Sequence, residues 1–189
     1  VALKHLKEVM IIDYKHLEKT IQKHGFQDFK WLDAKDIVVK HWVRFKCLLT
    51  CDTFGTKAVC PPNMPSVDEC KEFFSEYSTA VVLRIAKQAH HRDQDTEVFQ
   101  EIDNRMIELE KEIFYSGYYK VMAFSAAICC QCEECSGDIN TCADKQGSRP
   151  TAEALGVDLF QTVKQIGYPA EVLANYEQQM NRYYLIMIE

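Results

Sequence analysis

The stretch Thr79-Ala80-Val81-Val82-Leu83-Arg84-Ile85 is a short, nearly unbroken apolar run of strand length. Polar residues from Gln88 to Asp95, His90 and His91 among them, follow it as a loop. From Thr96 to Ser116 the apolar residues Val98, Ile102, Met106, Leu109 and Ile113 recur at helical spacing, and Gly117 stops the pattern. Tyr119 to Ile128 reads as the next strand, and its end runs straight into Cys129-Cys130-Gln131-Cys132-Glu133-Glu134-Cys135. Strand, helix and strand in this order form a crossover unit, which predicts two parallel neighbours in a sheet.

Working outward, Tyr14, Leu17, Ile21 and His24 predict an amphipathic helix from Asp13 to His24, closed by Gly25. Trp31 and Leu32 begin a less regular link. Ile37, Val39, Trp42, Val43 and Phe45 suggest a strand over Asp36 to Leu49 that delivers Cys47 and Cys51 to its end. Asp52 to Pro65, with Gly55 and three prolines, is loop. Ser66 and Glu69 form a capping-box pair ahead of a helix with Val67, Cys70, Phe73, Phe74 and Tyr77 on its buried face. Pro150 and Thr151 start a short helix ended by Gly156. Asp158 and Gln161 open another, which carries Leu159, Phe160, Val163 and Ile166 to Gly167. Arg182 to Ile188 reads as a last strand. The expectation is a single α+β domain over residues 1–189, a mixed sheet with packed helices. Its strand ends at 47–51 and 128–132 bring two cysteine-rich loops, 47–62 and 129–150, to one edge.

With 189 residues, the chain can bury an ordinary core without cysteine staples. Its 28 acidic and 22 basic residues are interleaved, giving a net charge of -6, which argues against a nucleic-acid surface. No apolar stretch is long enough to span a bilayer, and residues 1–13 lack the apolar centre of a signal peptide. Nine cysteines, an odd number, fit reduced thiols held by metal better than a disulfide framework. A cytoplasmic location is expected.

Cys129, Cys132 and Cys135 are spaced Cys-x2-Cys-x2-Cys, with Cys142 seven residues further on. Short gaps let three thiolates curl round one corner of a compact inorganic core while a fourth arrives from farther away, which suits a [4Fe-4S] cluster. Zinc, which usually shows two separated ligand pairs, is the second reading. Unligated core thiols are the third, since ordinary core cysteines sit in apolar runs and these sit among Gln131, Glu133, Glu134 and Asp138. Cys130 breaks the spacing and reads as a non-ligand.

A second block runs Cys47-x3-Cys51-x2-Phe54-Gly55-x4-Cys60-Pro61-Pro62. Its irregular backbone can wrap a metal core and donate amides to sulfur. The third cysteine that a radical enzyme would place three residues after Cys51 is absent. Cys70 is a further ligand only if it leaves the apolar face of its helix. If it stays, three thiols remain, and a three-thiolate cluster has one iron open to substrate. His90 and His91 read as solvated residues first and as ligands second. Arg44, Lys46, Lys57 and Arg149 stand near the cysteines in sequence, and Arg149 is the strongest candidate to offset cluster charge or bind an anion.

The two cysteine blocks, with Arg149-Pro150-Thr151-Ala152-Glu153-Ala154-Leu155-Gly156-Val157-Asp158 after them, resemble a prokaryotic family labelled "predicted metal-binding protein", a domain of unknown function. The resemblance covers roughly Cys47 to Gly167. It implies iron-sulfur or other metal binding in the cytoplasm, and it supports Cys47, Cys51 and Cys60 as ligands beside Cys129, Cys132, Cys135 and Cys142. Three functions are compatible with these residues. One or two [4Fe-4S] clusters relay electrons to a redox partner protein, an open-site cluster acts as a Lewis acid on a small-molecule substrate, or zinc stabilises an interaction domain. Neither nucleic acid nor a membrane is an expected partner.

Overall fold

The fold depends on one strand, Gln179–Ile188, in which every residue from Tyr183 to Ile188 is buried. No side of Tyr183-Tyr184-Leu185-Ile186-Met187-Ile188 can face water, so the strand must be covered on both faces and paired along both edges. A computed structural model, which describes residues 11–88, 96–175 and 177–189, places it in the interior of a four-stranded sheet. The strands are β1 (Phe29–Asp33), β2 (Thr79–Gln88), β3 (Met122–Phe124) and β4 (Gln179–Ile188), in the order β1-β2-β4-β3. All three ladders are antiparallel. β2 and β4 pair from Thr79 opposite Ile188 to Gln88 opposite Gln179, and β3 pairs Met122 to Phe124 with Met187 to Leu185.

The helices are α1 (Tyr14–Lys23), α2 (His41–Thr50), α3 (Val67–Ser75), α4 (Thr96–Tyr115) and α5 (Leu159–Gln165). Strand alternation sorts the sheet into two faces. Val81, Leu83, Tyr184, Ile186 and Ile188 pack on Leu17 and Ile21 of α1 and on Met106, Leu109 and Ile113 of α4. Ala80, Val82, Tyr183, Leu185 and Met187 pack with Cys70 and Phe74 of α3 and with Leu159 and Val163 of α5. The chain is therefore α+β, as its sequence suggests, with a sheet that is antiparallel throughout rather than mixed.

Local signals are obeyed closely. Asp13 caps α1 through the His16 N–H, and Gly25 follows at φ +84°. Both halves of the capping box form at α3. The Glu69 carboxylate accepts the Ser66 N–H at 2.8 Å, and Ser66 Oγ accepts the Glu69 N–H at 3.2 Å. Asp158 caps α5 through the Gln161 N–H.

Long-range placement departs from the sequence reading in four ways. β2 and β3 do run parallel, but β4 lies between them, so the crossover unit is split; burial of β4 on both faces outweighs direct pairing of β2 with β3. Trp31 and Leu32 belong to an edge strand rather than a link. The third strand ends at Phe124, after which Ser125 forms a parallel bridge to Thr151 and donates its N–H to Pro150 O at 2.9 Å. Residues 41–50 are helix rather than strand. Trp42, Val43, Lys46, Cys47 and Thr50 repeat at helical spacing along one face, a period that the shorter alternation from Ile37 to Phe45 obscures. His90 and His91 lie outside the described residues.

The start of α2 is tied to the segment before α5. Lys40 N–H donates to Gly156 O at 2.8 Å, Asp158 N–H donates to Val38 O at 2.7 Å, and Val39 bridges Val157. Gly156 has φ +85°, and a Cβ there would meet both Val67 methyls at 3.4 Å. Arg44 completes the link, its Nη1 donating to Pro65 O and Ala154 O at 2.9 and 3.0 Å.

Ile186→Ala in β4 is expected to cost about 3 kcal/mol, because the sheet cannot collapse around the cavity it leaves. Phe45→Ala, at a side chain 61% exposed, is expected to change stability by less than about 0.5 kcal/mol. Urea denaturation of the two variants checks the contrast.

Candidate metal centre

The first cysteine block grows out of the end of α2. Cys47 sits in the last turn, and Cys51 caps the helix by donating its N–H to Cys47 O at 3.3 Å. The chain then turns tightly. Gly55 N–H donates to Pro61 O at 3.0 Å, and Cys60 N–H donates to Lys57 O at 3.0 Å, which carries Cys60 back toward the helix end. The three thiols feel one another. Burial, followed by the charges of Cys51, Cys47 and Cys129, pushes the Cys60 thiol up to about 11, against the pull of Lys57. Burial and Cys51 likewise raise Cys47. Cys70 does not join them. It is 1% exposed in the core beneath the sheet, with its sulfur 3.7 Å from Pro65 O. The first block therefore has three thiols.

The second block starts where the chain leaves β3. Cys129 has its pKa raised by burial first, against a hydrogen bond from the Gln131 N–H, with Cys135 and Cys142 adding to the rise. Cys135 moves the other way. The Gly137 N–H and the Ala58 N–H both donate to its sulfur, the latter at 3.3 Å, and they hold its pKa below the ordinary thiol value. Cys142 approaches Ser148 Oγ at 3.9 Å. Cys132 and Cys130 both open onto a cavity beside Cys129. Cys130 directs its sulfur to Thr96 O at 3.7 Å.

The two blocks, far apart in sequence, are packed together. Ala58 of the first loop donates to Cys135 of the second, and Asn63 Nδ2 donates to Lys57 O at 3.2 Å and to Gly137 O at 2.7 Å. Gly137 has φ +73°, a left-handed backbone angle that favours glycine, and lies against Gly55 of the first loop. All nine thiols are free. Among the described residues, no three His, Cys, Asp or Glu side chains converge closely enough to hold a single metal ion as they stand.

Charge around the thiols is distributed differently from the sequence reading. Arg149 is committed elsewhere. Its Nε donates to Glu110 Oε2 at 2.8 Å and its Nη1 to the carbonyls of Gln146 and Ser148, which fastens the loop after Cys142 to α4. Lys57 holds the place given to Arg149, since its ammonium lowers the pKa of Cys60, Cys130 and Cys135. Arg44 and Lys46 act in the same sense on Cys47. Two carboxylates were not visible as site residues in the sequence. Asp103 of α4 is 4% exposed and accepts the Ser125 hydroxyl at 2.8 and 3.0 Å; burial pushes its pKa up to about 6, and its charge reaches Cys129 and Cys130. Glu153 lies beside Cys47, with burial raising its pKa against hydrogen bonds from Thr151 and its own amide. No local spacing singles out either residue, because both reach the thiols only through tertiary packing.

Two cavities adjoin the blocks. One of about 650 Å³ lies between α2 and α5 and exposes Cys47 and Cys51. The other, of about 850 Å³, is lined by Cys129, Cys130 and Cys132 together with Lys57 and Arg182.

Half-buried thiols in two facing loops, backbone amides aimed at sulfur and an ammonium group among them form a donor set suited to a thiophilic metal. The fold and site define an α+β protein with two cysteine-rich loops packed together. The chain belongs to the family described as "Predicted metal-binding protein (DUF2284)", whose model matches residues 30–188. No curated protein and no solved structure matches it. Among the described residues, no helix is long and apolar enough to cross a membrane.

In the reduced, metal-free protein at about pH 8, iodoacetamide is expected to label Cys135 well before Cys60, because the thiolate is the nucleophile and the Cys135 pKa is lowered while that of Cys60 is raised. Peptide mass spectrometry over time reads the order. Asp103 gives a second expectation. Its folded pKa lies above the value of 3.8 that it has when unfolded, so the stability tied to its protonated form is full below about pH 4 and is lost as pH rises through about 6. Asp103→Asn is expected to flatten the stability profile across that window in denaturant titrations.

Proposed function

We propose that this chain is an iron-sulfur protein in which Cys129, Cys132, Cys135 and Cys142 hold one [4Fe-4S] cluster and Cys47, Cys51 and Cys60 hold a second. Such clusters supply single-electron transfer, and the role inferred is a relay to a redox partner protein. The observation that carries this reading is the contact between the blocks, with the Ala58 N–H 3.3 Å from Cys135 Sγ and Cys60 within reach of the charge of Cys129. Amide donors to sulfur and a nearby ammonium stabilise the extra negative charge of a reduced centre, so Ala58, Gly137 and Lys57 are the groups that would tune its potential. The free thiols suit a reducing compartment, which supports the cytoplasm as the location.

A second reading follows from the first block alone. With Cys70 in the core, three thiols remain, and the 650 Å³ cavity opens onto two of them. That arrangement suits an enzyme whose three-thiol centre leaves a coordination position for a small-molecule substrate, with Lewis-acid chemistry of the dehydratase or desulfidase type.

Anaerobic purification followed by iron, labile sulfide and zinc analysis tests the proposal. Iron and sulfide in equal amounts, about four of each per cluster, are expected. Cys132→Ser is expected to remove a large share of both, and Cys70→Ala to leave both unchanged. Stoichiometric zinc without labile sulfide would defeat the cluster reading and favour a zinc-stabilised interaction domain. In electron paramagnetic resonance of the reduced protein, a signal that no small ligand moves would remove the enzyme reading and leave the relay.

A further inference from the structure

The cavity between α2 and α5 has apolar walls and two lysines among its charged lining residues. Val43, Val157 and Leu159 form its buried floor, while Trp42 and Phe160, 52% and 44% exposed, stand at its mouth. Lys46 and Lys164 also line it, and neither ammonium group has a hydrogen-bond or ion-pair partner among the described residues. Asp158 and Glu153 line it too, but among the described residues neither forms an ion pair with these lysines: Asp158 caps α5, accepting the Gln161 N–H at 3.0 Å, and Glu153 takes hydrogen bonds from Thr151 and its own amide.

These features narrow the occupant. A neutral apolar molecule would leave both ammonium groups without a direct partner. A sugar phosphate or nucleotide would need more polar donors than walls of Val, Leu, Trp and Phe provide. An aromatic body between Trp42 and Phe160, with one acid group reaching the lysines, satisfies both features. At about 650 Å³ the space is ample for a one- or two-ring ligand.

We propose that this cavity binds a small aromatic carboxylate, holding its ring between Trp42 and Phe160 and its acid group at Lys46 and Lys164. The proposal deepens the enzyme reading by naming the class of substrate that would lie against Cys47 and Cys51. Binding itself stands on the cavity and its charges, and does not depend on which metal the thiols hold.

Calorimetric titration of the full chain with naphthalene-2-carboxylate and with the uncharged naphthalene-2-carboxamide tests it, with iron, sulfide and zinc measured on the same samples. The carboxylate is expected to saturate one site and to bind about tenfold or more tighter than the carboxamide. The double variant Lys46→Gln, Lys164→Gln is expected to bind the two compounds equally while keeping its metal content, and Trp42→Ala to weaken both. Equal binding of the two compounds by the unaltered chain would overturn the proposal. So would binding of neither, or a preference that survives loss of both lysines. Zinc in place of iron with the carboxylate preference intact would sink the cluster reading and leave the pocket standing.

Discussion

Burial of β4 on both faces is the constraint from which the rest of the architecture follows. A strand with no polar side must be an inner strand, so β2 and β3 take its two edges and helices cover both faces of the sheet. The crossover through α4 then cannot close on a direct partner and must step over β4. This leaves β3 short, and the chain departs from the sheet at Phe124, just before the second cysteine block. The parallel bridge from Ser125 to Thr151 brings the segment after that block back beside its beginning. The loop from Cys129 to Arg149 is therefore anchored at both ends by backbone pairing, with the Arg149 to Glu110 ion pair fixing its return.

The first cysteine block is held differently. Its support is α2, which has only Val43 fully buried and is fastened by Arg44 and by the contacts of Lys40 and Val38 with the chain before α5. One block thus depends on the sheet and the other on a lightly packed helix. The helix-borne thiols, Cys47 and Cys51, are also the ones beside an apolar cavity, whereas Cys135 accepts amide hydrogen bonds from both loops.

Much of this was legible in the sequence where the signal is local. Asp13, Ser66 with Glu69, and Asp158 mark helix starts through side-chain hydrogen bonds made within three residues, and each one forms. The apolar runs at Thr79 to Ile85 and Arg182 to Ile188 are strands, and the cysteine spacing points to the metal-binding character that the family shows. What failed were judgements of period and partner. Residues 36–49 carry apolar side chains dense enough to fit a period of two over a short window, while the helical stripe from Trp42 to Thr50 shows only over two turns. The weight given to Arg149 over Lys57 rested on its place between the last cysteine and the Pro150-Thr151 helix start, but its guanidinium is taken up by Glu110 and two carbonyls, while Lys57 acts on thiols of both loops. Asp103 and Glu153 carry no spacing signal, because α4 and the turn after Thr151 reach the thiols through tertiary packing.

The side chain of Asn63 has a further consequence. By donating to Lys57 O and Gly137 O at once, it joins the two loops through neutral groups, independently of any sulfur. The loops are thus already neighbours before a metal arrives, so the second set of thiols is present at the high effective concentration of an intramolecular partner and most of the closure entropy falls to folding. Loading then resembles filling a socket more than tying a knot.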